Sequence, residues 1–429
     1  LYRWSLIIYD AMPNIPISLK AMEGFLGKNI HETSVPFDID RPLTPTEIAE
    51  TIDYCRDDVL NLMDVFIQRK NEFDSQLALV KEFNLPLSAL GKTQAQLAAT
   101  ILNAKRVKLK DEWDIRMPEC LQLGKYRYIA DWFSNPENHN EDLKLTTTIG
   151  GIENVVAWGG LHGGRNKFVY ECKEDEIILD ADIGQMYPNI MIHYDLQSRG
   201  VTNKNKLPEI LETSMRLKRE GKKKEREPYK RICNIVYGAC GDRLNPMYDS
   251  LHRKLVCIFG QVLMIDLIDK IEDLVMCLNH NTDGIFFVVK KKDIPKLKRR
   301  IGEWEKRTKL VMEYDEYIKF VSKDVNNYIA VRSDGSCHVK GAYVKELNPL
   351  DYDLPIVNEA LKNYFLFNVP IEQTILNCND FIKFQKIVKL SSKYEWVEHE
   401  RVTKNRIYNN KAYRLFASKH HDDGRLLNY

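Results

Sequence analysis

Two apolar runs, Leu274–Leu278 and Ile285–Val289, flank the polar segment Asn279-His280-Asn281-Thr282-Asp283-Gly284. Short runs bounded by turn-forming residues read as a β-hairpin, with Asp283 at its tip. A third run, Glu176–Ile183, is short, apolar and flanked by charge, and it reads as another strand. It carries Asp180 and Asp182 and leads into Gly184-Gln185-Met186-Tyr187-Pro188-Asn189. Asp182 and Asp283 thus sit at turn edges, where Asp is common for purely local reasons. Brought together they gain another use. Two divalent ions roughly 3.5–4 Å apart can activate an attacking hydroxyl and stabilise a leaving phosphate oxygen. Hard carboxylate oxygens favour Mg²⁺ for that work.

Between the two carboxylates lies Leu207–Arg231, strongly basic and largely helical, with breaks expected at Gly221 and Pro228. Arg216, Lys218, Arg219, Lys222, Lys223, Lys224, Arg226, Lys230 and Arg231 crowd there, only partly offset by Glu220, Glu225 and Glu227. Alone, such a run is an ordinary solvated helix face. It continues, however, into Lys230-Arg231-Ile232-Cys233-Asn234-Ile235-Val236-Tyr237-Gly238. On a helix Lys230, Asn234 and Tyr237 fall at i, i+4 and i+7 and share one face. A cation, an amide and an aromatic ring on one face suit a triphosphate and a base. Gly238 beside the ring permits close approach of a backbone or base.

The chain has 429 residues, so two to four domains are expected. The net charge is only +2, and a polyanionic partner has to be read from local clustering. No apolar run approaches the roughly 20 residues of a membrane span. Leu255–Ile268 is the most apolar, but Gln261 and Asp266 punctuate it, and it reads as a buried helix. Nine cysteines contain no C-x-x-C pair, which favours reduced thiols in a cytoplasmic compartment over zinc or disulfides. Leu1–Asp10 has neither an initiator Met nor a signal-peptide layout, as if cut from something longer. Thr44–Lys70 reads as helical, with N-cap candidates Thr44 and Thr46 and apolar residues at Ile48, Ile52, Val59, Leu62 and Phe66. Phe83–Arg106 reads as a helical pair interrupted near Pro86, and Val107–Glu153 as irregular, with a domain boundary inside it. Ile294–Arg307 reads as an amphipathic helix, Tyr317–Val321 and Tyr328–Val331 as strands.

In order, Asp182-x4-Tyr187-Pro188, Lys230-x3-Asn234-x2-Tyr237-Gly238 and Thr282-Asp283 resemble motifs A, B and C of family B DNA polymerases, nearest the bacteriophage enzymes. The resemblance implies an α/β fold with an α+β palm: a right hand of palm, fingers and thumb. It assigns 179–204 and 251–345 to the palm, 205–250 to the fingers and 346–429 to a thumb. It implies a template-directed DNA polymerase that binds primer-template DNA and deoxynucleoside triphosphates, with two Mg²⁺ (or Mn²⁺) on Asp182 and Asp283. Lys230 would meet the triphosphate, Tyr187 would stack under the sugar and exclude a ribose 2′-hydroxyl, and Asn234 and Tyr237 would line the base-pair pocket. Arg216 or Arg219 would add a phosphate contact. Trp158-Gly159-Gly160-Leu161-His162-Gly163-Gly164 resembles the family's template-touching glycine motif in a 107–178 linker region, and paired glycines are also plain loop formers. Lys340-Gly341 follows the Tyr328 strand, where the family binds primer backbone; the family's K-x-Y reads Asn326-Asn327-Tyr328 here. Asn281, Gly284 and Ile235 also depart from the motifs, and none of these is a metal ligand in the family.

Tyr54-x3-Asp58 resembles the third motif of DnaQ-like 3′–5′ exonucleases, which makes 1–106 the C-terminal part of an RNase H-like proofreading domain. The preceding carboxylate motifs are not found, so the chain as given is expected not to proofread. Asp182 and Asn234 are about fifty residues apart, room for two fingers helices and little more. Because protein-primed relatives of the family carry an insertion between motifs A and B, the resemblance implies a nucleic-acid primer rather than a terminal protein. The rival reading is a catalytically inactive nucleic-acid-binding fragment, motivated by the altered motif C. A reverse transcriptase or RNA polymerase is disfavoured by Tyr187 and by the absence of a Y-x-D-D tip. The ending Leu426-Leu427-Asn428-Tyr429 has no tail pattern, consistent with an incomplete thumb.

Overall fold

The computed structural model describes residues 8–12, 17–30, 32–389, 396–399, 405–408, 412–417 and 424–427. Residues 1–7, 428 and 429, on which the readings of the two chain ends partly rest, lie outside the described residues. The chain divides into two compact units, one built on Ser75–Gly341, the other on Tyr9–Asp74 and the described residues from Ala342 onward. Residues 107–153, expected to hold a boundary, lie wholly within the first unit. Among the described residues no helix is long and apolar enough to cross a membrane.

The second unit contains helices α1 (Leu19–Phe25) and α2 (Pro45–Gln68). Thr44 caps α2: its hydroxyl accepts from Glu47 N–H while the Glu47 carboxylate accepts from Thr44 N–H, a capping box that satisfies two otherwise orphaned donors. Met22, Val65 and Leu350 form a small core there. The helical spacing in 44–70 is therefore correct, but the apolar face it marks is turned outward: Ile52 is 61% and Val59 58% exposed, and Tyr54, Asn61 and Val65 are buried instead.

Helix α3 (Lys70–Glu82) carries the chain into the first unit, followed by α4 (Gln94–Ile101) and α5 (Arg127–Ser134). The expected helical start at Phe83 falls just past α3, because Asn84 takes a left-handed backbone and ends the helix. Residues 107–153 are not a linker. Gln122 N–H donates to Asp266 Oδ2 (2.8 Å), Gly124 N–H to Asp269 Oδ2 (2.7 Å) and the Tyr126 hydroxyl to Glu272 Oε2 (2.7 Å). The segment is thereby tied along one long helix of the same unit.

That unit has two antiparallel sheets. Strands β1 (Lys144–Ile149), β2 (Ile152–Ala157), β3 (Gly160–Gly164), β5 (Glu176–Ile183), β6 (Val275–His280), β7 (Gly284–Lys290) and β8 (Met312–Tyr317) form one, in the order β1-β2-β3-β6-β7-β5-β8. The other is β11 (Cys337–Lys340), β10 (Asn327–Val331), β9 (Lys319–Asp324), β4 (Phe168–Glu171). The single strand expected over Tyr317–Val321 is two strands, β8 and β9, which belong to different sheets and meet at Ile318.

Helices α6 (Met186–His193), α7 (Lys206–Arg219), α8 (Lys223–Ala239), α9 (Ser250–Ile271) and α10 (Ile294–Thr308) complete the unit. Helix α9 is buried along almost all its length, as its apolar sequence requires. It admits α6 where Gly260 stands: a Cβ there would meet Met186 Sδ at 3.0 Å. The expected break at Gly221 is present, with φ +71°. Pro228, by contrast, lies inside an unbroken α8. The carbonyl it leaves unpaired belongs to Lys224, an exposed residue that water can serve, and Ile232, Cys233 and Val236 pin the helix through their burial.

Candidate active site

The hairpin exists as β6–β7, with Asn281, Thr282 and Asp283 as its tip. Asn281 N–H donates to Gly284 C=O (2.8 Å), closing the turn. Strand β5 pairs with β7 so that Asp182 faces Gly284, and Ile183 N–H donates to Asp283 C=O (2.7 Å). The two candidate carboxylates thus come from adjacent strands, one register step apart, although they lie 101 positions apart in the chain.

Gly284 has a specific reason to be glycine. An ideal Cβ there would fall 1.6 Å from Asp182 Oδ1 and 2.9 Å from its Cγ. No side chain fits while the carboxylate keeps its place.

The register also assembles an acid row that sequence reasoning missed. Side chains directly opposite on neighbouring strands share a sheet face. Asp180 pairs with Phe286 on β7 and Asp315 on β8; Asp182 pairs with Gly284 and Glu313; Ile178 pairs with Val288 and Tyr317. One face therefore runs from an apolar base (Ile178, Val288, Tyr317) to four carboxylates at the end beside Asp283. The signal was present in Met312-Glu313-Tyr314-Asp315-Glu316-Tyr317, where acids at alternate positions echo the Asp-x-Asp of β5, but only the sheet order makes the two strands neighbours.

Crowding these acids has the expected electrostatic result. Burial, with the charges of Asp182, Asp315 and Asp283, pushes Asp180 up to about 8. Asp182 is exposed at the mouth of the row, yet surrounding protein and then Asp283, Asp315 and Glu313 push it up to about 6. Lys340 opposes both shifts. Asp315 pairs with Arg332 (3.3 Å) and Glu313 with Lys218 of α7. No described residue hydrogen-bonds or ion-pairs the carboxylates of Asp182 or Asp283. Uncompensated carboxylate oxygens that repel one another fit a divalent cation. Among the described residues no group of three or more His, Cys, Asp or Glu side chains could by itself hold a metal ion, and two carboxylates are the set these residues would offer one. Such a set suits Mg²⁺, which commonly takes its remaining ligands from water and substrate phosphates.

Beside the acid row, Tyr187 in the first turn of α6 stacks on Tyr237 of α8, with ring centroids 4.1 Å apart and planes 3° from parallel. Burial raises both phenols, so both stay neutral hydroxyls. Lys230 and Tyr237 are half-buried and Asn234 exposed on the same helix, and Lys230 has no ion-pair partner among the described residues. Of the two alternatives in α7, Arg216 pairs with Glu220 (3.1 Å), whereas Arg219 is exposed and unpaired among the described residues.

The glycine motif lies against the hairpin tip. Leu161 N–H donates to Thr282 Oγ1 (3.2 Å), and a Cβ on Gly160 would stand 2.4 Å from that oxygen. Gly163 likewise makes room for Asn154, whose Oδ1 would be 2.1 Å from its Cβ. These two glycines serve packing between strands, while Gly159 has open space around it. Tyr328 is 5% exposed and packs on Phe286 and Phe320 (centroids 5.3 and 5.4 Å), which makes it part of the core under the acid row. Lys340 is half-buried and reaches Asn281 Oδ1 (3.4 Å), and His162 also hydrogen-bonds Asn281. Asn281, one of the motif departures, thus links Lys340 to His162, and burial with the Lys340 charge pushes the His162 imidazole below its ordinary value.

In the other unit, Tyr54 is buried under Lys20, whose Nζ sits 4.6 Å from the ring centroid. Lys20 Nζ also pairs with Asp58 (2.6 Å) and with the fully buried Glu23 (2.9 Å). Lys20 thus bridges two carboxylates, Asp58 and Glu23.

No family model matches the sequence. Over 141 residues the chain is 28% identical to DNA polymerase 1 of Saccharolobus solfataricus, a stretch covering 32% of this chain and 16% of that protein. Among solved structures, a family B DNA polymerase from Pyrobaculum calidifontis aligns with TM-score 0.47 and 14% identity, covering 90% of this chain and 53% of that one. The chain thus spans about half the length of that polymerase. Over about a third of its length, the chain is similar in sequence to an archaeal DNA polymerase.

Proposed function

We propose that the chain is a template-directed DNA polymerase of the family B type that extends a nucleic-acid primer with deoxynucleotides. The observation that carries this reading is the convergence of Asp182 and Asp283 beside the Tyr187–Tyr237 stack and the Lys230–Asn234–Tyr237 face. The sheet with the acid row would be the palm, α7 and α8 the fingers, and the residues from 346 onward thumb. Asp182 and Asp283 would hold the catalytic ions. When bound, such ions lower the pKa of the primer 3′-hydroxyl and stabilise charge on the departing pyrophosphate.

The remaining work is positioning and charge placement by side chains. Lys230 grips the triphosphate. Tyr237 and Asn234 receive the base, and Tyr187, fixed by its stack on Tyr237, occupies the space a ribose 2′-hydroxyl would need. Tyr54 and Asp58 would belong to an exonuclease-type helix that does not cleave in this chain, since the partner carboxylate motifs are not found in its sequence. Action in the cytoplasm, that of a host cell if the gene is viral, belongs to the same reading.

Primer extension on a defined template with Mg²⁺ tests the reading. Asp283→Asn is expected to abolish extension while primer-template binding stays within a few-fold of the parent. A variant that extends at near-normal rate removes Asp283 from the mechanism. A parent chain that binds primer-template but incorporates nothing with Mg²⁺ or Mn²⁺ favours the inactive, nucleic-acid-binding alternative.

A further inference from the structure

Arg253, in the first turn of α9, belongs to none of the polymerase motifs, yet it lies at the far end of the proposed nucleotide face. Its guanidinium is 5.9 Å from the centroid of the Tyr237 ring. It occupies the space that a side chain on Gly241 would fill: a Cβ there would stand 2.8 Å from Arg253 Nε and 3.1 Å from Cζ. Gly241 follows the end of α8 at Ala239, so the cation from α9 stands just past the C-terminal end of the helix that carries the stripe Lys230–Asn234–Tyr237.

That cation is half-buried and has no hydrogen-bond or ion-pair partner among the described residues. Asp249, the nearest carboxylate before it in the chain, is engaged by Arg199 through Nε–Oδ2 (2.9 Å) and Nη2–Oδ1 (2.7 Å). The groups its charge does reach are neutral: Tyr187, Tyr237, Cys240 and Cys257. A half-buried guanidinium beside an aromatic ring, without an anion among the described residues, is suited to an oxyanion brought by a ligand.

Position decides which oxyanion. Lys230 lies nine residues before the end of α8 at Ala239, about 14 Å along the helix at 1.5 Å per residue, and Arg253 stands past that end. One triphosphate does not reach both ends. With the phosphates at Lys230 and the base at Tyr237, the next group along the stripe is the templating nucleotide, and Gly238 there faces open space. We propose that Arg253 binds a backbone phosphate of the template strand next to the nascent base pair. This rests on the polymerase reading.

The test uses Arg253→Gln and Arg253→Lys in the full chain, with primer-template affinity followed by fluorescence anisotropy against salt and the dNTP KM by primer extension. Arg253→Gln is expected to weaken primer-template binding roughly tenfold and reduce the slope of log K against log salt by about one. The KM for the correct dNTP should stay within about twofold, and Arg253→Lys should restore the salt slope but only part of the affinity, because the charge returns without the guanidinium fork. The loss should vanish on a blunt duplex with no templating overhang. A raised KM with unchanged primer-template affinity would move Arg253 to the triphosphate and overturn the proposal. Unchanged affinity and slope, with the thermal midpoint lowered, would make it a packing residue on Tyr237 and also overturn it. If the parent chain itself neither binds primer-template nor extends it, the polymerase reading fails first; if the parent is active and Arg253→Gln behaves like it, only this inference falls.

Discussion

Asp180→Asn is the sharpest probe of the acid row, because it removes a charge without changing shape. Asp180 is 9% exposed, and its carboxyl is raised from 3.8 to about 8, first by burial and then by Asp182, Asp315 and Asp283. Between those two values the native state keeps the proton and the unfolded chain has lost it. The native state then binds more protons than the unfolded state, so rising pH lowers stability, by about 1.4 kcal/mol per pH unit. Below the unfolded value both states are protonated, and above about 8 both are ionised, so the slope disappears at either end. The asparagine variant has no proton to lose. Its stability advantage over the parent should grow by about 1.4 kcal/mol for each pH unit between roughly 5 and 8, about 4 kcal/mol in all, and then level off. That is a large fraction of the roughly 5–15 kcal/mol that holds a typical domain. Urea unfolding in chelator-containing buffer across this range is the assay, read on whichever transition the substitution moves, since two compact units can unfold separately. Parallel stability curves for the two proteins would show that Asp180 ionises normally and that the row does not act as argued.

Three further outcomes follow from the same geometry. Gly284→Ala forces the Asp182 carboxylate from its place and should cut primer extension by at least about tenfold while leaving primer-template affinity nearly unchanged; full activity would mean that Asp182 has freedom the β5–β7 register does not suggest. Mg²⁺ should raise the thermal midpoint of the parent in proportion to RT ln(1 + [Mg²⁺]/Kd), and Asp182→Asn with Asp283→Asn should erase that gain, as differential scanning fluorimetry can check. A mismatched primer 3′ end incubated with the parent and Mg²⁺ should remain intact on a denaturing gel, because the carboxylate motifs that proofreading needs beside Tyr54 and Asp58 are not found in the sequence; clear shortening of the primer would contradict this.

The local elements of the site were legible and their assembly was not. Period-2 and period-3.6 patterns are properties of short windows, so the hairpin around Asp283, the strand ending at Asp182 and the Lys230–Tyr237 face could be read directly. Sheet order is not a property of any window. Nothing near Asp182 announces that β5 lies between β7 and β8, and without that order Glu313 and Asp315 look like ordinary surface acids. The glycines of 159–164 show the same limit: Gly160 is explained by Thr282, 122 positions away, which no local turn argument supplies. Pro228 failed as a break because burial of residues downstream outweighed a single lost hydrogen bond. The outward apolar face of α2 reverses the usual inference that helical periodicity points to a core.

The acid row has a consequence for how this sequence could have drifted. Like charges directly opposite one another on paired strands oppose folding, as Asp180 against Asp315 and Asp182 against Glu313 do here. A lineage freed from the need for these charges would gain stability by replacing almost any of them, so neutral or apolar residues would accumulate at this end of the sheet. Four acids face one another there, and the glycine at 284 leaves room for one of them. A relic that has lost its chemistry would be expected to have relaxed this strain first.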